Sequence, residues 1–176
     1  MLATQTNTRG NVMTVASIYT CSYGDCTSNR AGKSKYCRAH AALARAAYLD
    51  RVAADKAERA ERYEAFNRLT VEAHCAGIKA GEEAFPTPMV VVGGGQRYVV
   101  DEGACGFAWI SVHPGNCSFA IWAKKNLGYT KAYGGGVQRW VHEFNQSITR
   151  KEAYARAYAE VLQDAGIKAY MGSRLD

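Results

Sequence analysis

The 176-residue chain holds only three prolines, and between Lys33 and Ala76 it has neither proline nor glycine. Nothing in that stretch would break a helix. Nowhere do 18 apolar residues follow one another, which excludes a helix that crosses a membrane. The N-terminal MLATQTNTRGNVMTVAS lacks the continuous apolar segment of a secretory signal, so a cytoplasmic protein without membrane partners is expected. Acid is scarce at the start: the first 40 residues carry five Lys or Arg against Asp25 alone. Apolar residues are not scarce. At 48% hydrophobic and 22% charged, the chain has the composition of a folded protein and not of a disordered one.

In a reducing compartment six cysteines argue for metal or buried thiols before disulfides. Four ligand types fall close together: Cys21, Cys26, Cys37 and His40 form the pattern C-x4-C-x10-C-x2-H. That span is too short to build a hydrophobic core, and a bound metal would replace one. Gly24 and Asp25 suit a tight turn between the first two cysteines, Thr27 to Lys35 suit an exposed loop pivoting on Gly32, and Tyr36 serves as a local apolar plug. Cys37 and His40, three apart, share one face of a helix that starts there. One structural zinc ion per chain is expected. Two ligands from a turn and two from the first turn of a helix resemble the treble-clef, Cys3His zinc fingers of phage and mobile-element proteins, including those that precede HNH nuclease domains. The resemblance covers residues 21–40, and the four-residue gap between its first cysteines is wider than the usual two.

The net charge of +6 is uneven, with +4 on residues 1–40, −1 on 41–83 and +3 on 84–176. A small basic module is the electrostatic footprint of a surface that meets phosphate. Arg30, Lys33, Lys35 and Arg38 are the candidate contacts to nucleic acid, DNA or RNA. An acidic protein surface is the rival partner. In that case the chain is an adaptor or inhibitor, in the phage setting one acting on a host protein, and its zinc is purely structural.

Four segments are expected: a loose lead-in at 1–16, a zinc finger at 17–40, a long helix at 41–83 and an α+β domain at 86–176. On the helix, Asp55 with Arg59, Glu58 with Arg62 and Glu64 with Arg68 are i,i+4 pairs in the favourable order and mark a solvated face. Leu49, Ala53, Ala57, Ala60, Tyr63, Phe66 and Leu69 form a stripe that should dock on the C-terminal domain or pair with a second copy in a homodimer. Gly77 and Gly81 should end the helix.

Beyond Pro86-Thr87-Pro88 the pattern turns extended. Met89 to Val92 and Arg97 to Val100 read as strands about a glycine turn, and Gly106 to Val112 as a central strand, apolar on both faces. A helix over Ser118 to Lys125 would be capped by Asn116, and a helix over Thr149 to Ala165 by Thr149 with Glu152 in a capping box and Gly166 after its end. Tyr129 to Tyr133 and Val137 to Phe144 read as a hairpin, and Ile167 to Met171 as a last strand. Strand, helix, strand, strand, helix, strand is the order of the split βαβ, ferredoxin-like fold.

Other constellations bear on chemistry. The phrases GGGQRYVV (93–100) and GGGVQRWV (134–141) place an arginine and an aromatic after three glycines, but they run into strands, which favours hairpin turns over phosphate loops. CGFAWISV, residues 105–112, resembles the RNP1 strand of RRM domains, which would make Phe107 and Trp109 base-stacking residues. Cys105 and Val112 depart from that pattern, no RNP2 strand is found, and core aromatics are the preferred reading. Cys117 near a helix start, with His113 or His142 as base, is the cysteine-hydrolase reading. His74, Cys75, Cys105, His113 and Cys117 have spacings that specify no known metal geometry. His142, Glu143 and Asn145 lack the second histidine of an HNH nuclease, and Asp101 and Glu102 are adjacent and would point apart in a strand. A non-catalytic protein is expected.

Overall fold

The computed structural model describes residues 4–6, 12–14 and 20–176, the first two stretches by backbone alone. The chain forms two compact units, Met1–Ala60 and Glu61–Asp176. In the first, β1 (Thr4–Thr6) and β2 (Val12–Thr14) pair antiparallel with Thr4 opposite Thr14, within the stretch expected to be a loose lead-in. The remainder of that lead-in lies outside the described residues, as do residues 18 and 19 of the extended piece expected before Cys21.

Helix α1 (Arg38–Glu83) is a single run of 46 residues, as the absence of breakers requires. Its solvated character extends further than expected, because Leu49, Ala53, Ala57 and Ala60 are exposed and the apolar stripe packs only from Tyr63 onward. Alanines carry little apolar area, so this first part of the stripe gains little from burial. The expected stops at Gly77 and Gly81 are not stops. Both glycines are buried within the helix, where a Cβ on Gly77 would stand 2.7 Å from the Tyr154 ring and one on Gly81 would strike Phe144. They are absent side chains that let aromatic rings meet the helix backbone.

The second unit is α+β. Hairpin β3 (Met89–Gly93) and β4 (Gln96–Val100) turns at Gly94 and Gly95, whose φ of 59° and 79° suits glycine in a two-residue turn. The main sheet has four antiparallel strands. Its order is β6 (Thr130–Lys131), β7 (Val137–Trp140), β5 (Gly106–Val112), β8 (Ala169–Leu175), so β5 is central as expected. Ala108, Ile110 and Val112 face the core, and Phe107, Trp109 and Ser111 alternate onto the opposite face, half-buried. Over the core face lie α2 (Ser118–Asn126) and α3 (Ile148–Asp164), which bury Phe119, Trp122, Tyr154, Tyr158 and Leu162.

The caps differ from the sequence expectation. Cys117, not Asn116, caps α2, its Sγ accepting the Ala120 amide at 3.4 Å. Ser147, not Thr149, is the cap position of α3, and its hydroxyl donates to the Glu102 carbonyl instead of accepting from the helix. Glu152 accepts from Ser173 Oγ at 2.6 Å and so forms no capping box. Gly166 follows the C-cap Ala165 with φ of 78°, the left-handed stop expected of it. Strand β7 ends at Trp140, short of the expected Phe144, because Phe144 and Asn145 both take positive φ and turn the chain away. Among the described residues no helix is long and apolar enough to cross a membrane.

Gly77→Ala should lower the unfolding free energy by about 1–2 kcal/mol in urea titrations, since overpacking against Tyr154 outweighs the gain in helix propensity. An unchanged or increased midpoint would show that the ring is free to move aside.

Candidate metal centre

The C-x4-C-x10-C-x2-H residues converge. One donor atom from each of Cys21, Cys26, Cys37 and His40 lies within 4.8 Å of the others, and no other such group of three or more exists among the described residues. Backbone bonds assemble it: Cys21 N–H donates to Ser28 O, Ser22 N–H to Lys35 O, and Cys26 N–H to Tyr23 O across a turn in which Gly24 has φ of 48°. Thr20 bridges Asn29, which closes the loop on itself. Cys37 then stands just before α1 and His40 in its first turn, so the three-residue spacing aims both inward.

Both Cys21 Sγ and Cys37 Sγ are 3.4 Å from His40 Nδ1. A tetrahedral ion with sulfur at about 2.3 Å and nitrogen at about 2.0 Å would separate such donors by about 3.5 Å. The donor set therefore fits a four-coordinate metal. Electrostatics point the same way. Burial opposes charge on Cys21, but the Cys37 backbone N–H, the His40 ring and the Tyr23 backbone N–H together bring its thiol down to about 6. The His40 N–H also favours the Cys37 thiolate, yet burial and the neighbouring Cys21 and Cys26 sulfurs win and push that thiol up. Crowded sulfur that resists a second negative charge accepts it readily around a dication. Tyr23, not foreseen from the sequence, stacks on His40 at 4.3 Å between ring centroids, while Tyr36 meets Tyr23 edge-on.

All four cations predicted to contact phosphate are exposed. Arg30 Nε donates to Thr20 O at 3.0 Å, and the Lys35 ammonium lies 5.1 Å from the Tyr36 ring centre. Lys33 and Arg38 project from the loop and from the start of α1, and none of the four pairs with a carboxylate among the described residues.

The second unit holds a polar network that sequence reasoning did not find. Arg139 turns inward from β7, donating from Nη1 to Tyr154 Oη at 2.8 Å and from Nη2 to Glu143 at 2.9 Å. His74 Nδ1 lies 2.7 Å from the same Tyr154 hydroxyl. Burial holds Tyr154 up at about 12 against the pull of Arg139, so the phenol stays neutral and can donate its proton to His74. Burial works against Glu143 as well, but its own and the His142 backbone N–H groups and the Arg139 charge win and hold the carboxyl below its usual range. Each member of this network bonds to at least one other, which suits a structural tie between α1, β7 and α3.

The remaining candidates do not assemble. Cys117 and His113 line a cavity of about 260 Å³ without a hydrogen bond between them, and Cys117 is engaged as a helix cap. His142 is exposed, Cys75 is exposed, and His74 is committed to Tyr154. Asp101 and Glu102 lie in a turn, not a strand, and Glu102 takes the Arg150 guanidinium at 2.9 Å.

Because the Glu143 carboxyl is depressed in the folded state, its stabilisation is complete above the unfolded carboxylate range and is lost as pH falls through the folded value. Glu143→Gln should therefore cost roughly 1–2 kcal/mol at pH 7, and the gap from the parent should close in acid, once pH has fallen below the folded carboxyl value. Denaturant titrations at the two pH values check this; a gap that persists in acid would assign the loss to packing instead.

No family model matches the chain, and no curated protein or solved structure matches it either.

Proposed function

We propose that the chain is a non-catalytic, cytoplasmic zinc-finger accessory protein that contacts nucleic acid, DNA or RNA, through its N-terminal unit. The observation that carries this is the display of Arg30, Lys33, Lys35 and Arg38, exposed and without carboxylate partners among the described residues, around a Cys3His cluster. Flexible basic side chains fixed on a metal-rigidified loop offer phosphates a preorganised surface. Zinc is the ion proposed, since three thiols and an imidazole suit its soft, tetrahedral preference. The treble-clef class of phage and mobile-element proteins is the likeness that accords with this ligand order. For the second unit, the strand order β6-β7-β5-β8 with all pairs antiparallel supports a ferredoxin-like, split βαβ assignment.

A protein partner is the second reading, and one observation favours it. Leu43, Tyr48, Leu49 and Val52, on the first turns of α1, are all exposed by more than two-fifths. Such apolar area next to a basic loop suits an adaptor or inhibitor docking on an acidic protein surface, or a homodimer through the helix.

Elemental analysis should give about one zinc per chain, falling to near zero in Cys37→Ser, whose N-terminal residues become protease-sensitive. Full zinc content in that variant would remove the assignment. For nucleic acid, affinity for mixed DNA or RNA should fall steeply with salt, and changing Arg30, Lys33, Lys35 and Arg38 together to Ala should reduce the log–log slope by about 3. Undetectable binding at low salt would transfer the basic face to the protein-partner reading.

A further inference from the structure

Beyond the metal centre, the open end of the main sheet carries a cleft of about 440 Å³ between strands and the loop that leads into α3. Its wall is aromatic: Phe107 and Trp140, 6.1 Å apart and edge to face, with Trp109 5.1 Å from Trp140. These rings share the sheet face opposite the core, because Trp140 pairs with Trp109 and Phe107 with Arg174 in register. Its cations are Lys151 and Arg174. The Arg174 guanidinium lies 5.2 Å from the Phe107 ring centre and 5.9 Å from that of Trp140. Lys151 is 95% buried, yet its ammonium donates only to the Gly106 carbonyl at 3.2 Å and lies over Phe107. Neither cation has a carboxylate partner among the described residues, and no acid lines the cleft. At the rim stand the amides of Asn145 and Gln146 and the ring of His142.

A buried ammonium with spare donors and no counter-charge is costly, and an anion entering the cleft would relieve it. Aromatic rings beside two such cations suit an anion that carries its own flat π system. Amides at the rim can pair with the edge of a heterocycle. We propose that this cleft binds a nucleotide, its base against the Phe107 and Trp140 wall and its phosphate on Lys151 and Arg174. The nucleotide is either free or one unit of a single strand; the chemistry is shared. This goes beyond the phosphate contacts of the N-terminal unit, with which it has no residue in common.

The full chain can be titrated with AMP, adenosine and a dA10 oligonucleotide at low salt, following tryptophan fluorescence. AMP or dA10 should quench it, with adenosine at least tenfold weaker than AMP for want of the phosphate. A dA10 affinity about tenfold above that of AMP would identify the strand as the ligand, whereas equal affinities would identify the free nucleotide. Trp140→Leu and Arg174→Met should each weaken AMP binding by about tenfold, which corresponds to about 1.4 kcal/mol, as should Lys151→Met if it folds. Arg174 is exposed, so its variant keeps the test available should the buried substitution fail. The combined Ala variant of Arg30, Lys33, Lys35 and Arg38 should leave AMP binding unchanged, which separates this site from the N-terminal one. Absence of quenching by both AMP and dA10, or full AMP affinity in folded Trp140→Leu and Arg174→Met, would overturn the proposal.

Discussion

The approach of the α1 backbone to two aromatic rings is the constraint on which the second unit turns. With no side chain at Gly77 and Gly81, the helix can lie against Tyr154 and Phe144. Tyr154 is then close enough for His74 to reach its hydroxyl, and Arg139 meets the same oxygen from the sheet. Arg150 adds a hydrogen bond to the Gly81 carbonyl at 3.0 Å, closing the contact from α3. Once Arg139 points into the core layer, the pleat of β7 leaves its neighbour Trp140 no choice but the outer face. The outward aromatic wall is thus a consequence of an inward guanidinium, and the two cannot be exchanged without reversing the strand.

The first unit is organised on another basis. Between Thr20 and His40 the buried apolar side chains are two cysteines, Cys21 and Cys37, so burial of hydrocarbon cannot hold the loop. Backbone hydrogen bonds set its path, and the stacking of Tyr23 on His40 orients the ring. The thiols supply the rest only when a cation offsets their mutual repulsion. A metal at this cluster would therefore do for the loop what a hydrophobic core does elsewhere, and the loop's lysines and arginines stay exposed around it.

Legibility followed locality. The ligand spacing, the breaker-free helix and the order of strands and helices from Gly106 onward were readable because each is a pattern within a few turns of chain. Cap identities were not, because Ser147 bonds to Glu102 and Glu152 to Ser173, partners that only the tertiary fold supplies. Gly77 and Gly81 misled for a related reason: glycine in a helix reads as a stop unless the ring that occupies its missing side chain is known. In the sequence Arg139 stands out only as part of a glycine phrase. Its inward turn depends on register, which a one-residue slip would have reversed.

One signal of the cleft is present in the sequence itself. The buried positions of α3 include Lys151, Tyr154, Ala155, Tyr158, Ala159 and Leu162, a helical stripe whose first place is taken by lysine. A core stripe has no use for an ammonium, and any apolar residue there would spare the chain its desolvation. The neighbouring glycine explains how it is tolerated: at Gly106 a Cβ would crowd both Ile148 and the Arg174 carbonyl, so the strand end stays bare and its carbonyl is open to Nζ. One carbonyl satisfies one donor of three. The remaining two, beside Phe107 and at the wall of an acid-free cleft, are where the sequence breaks its own periodicity, and such breaks are expected to mark function before they mark error.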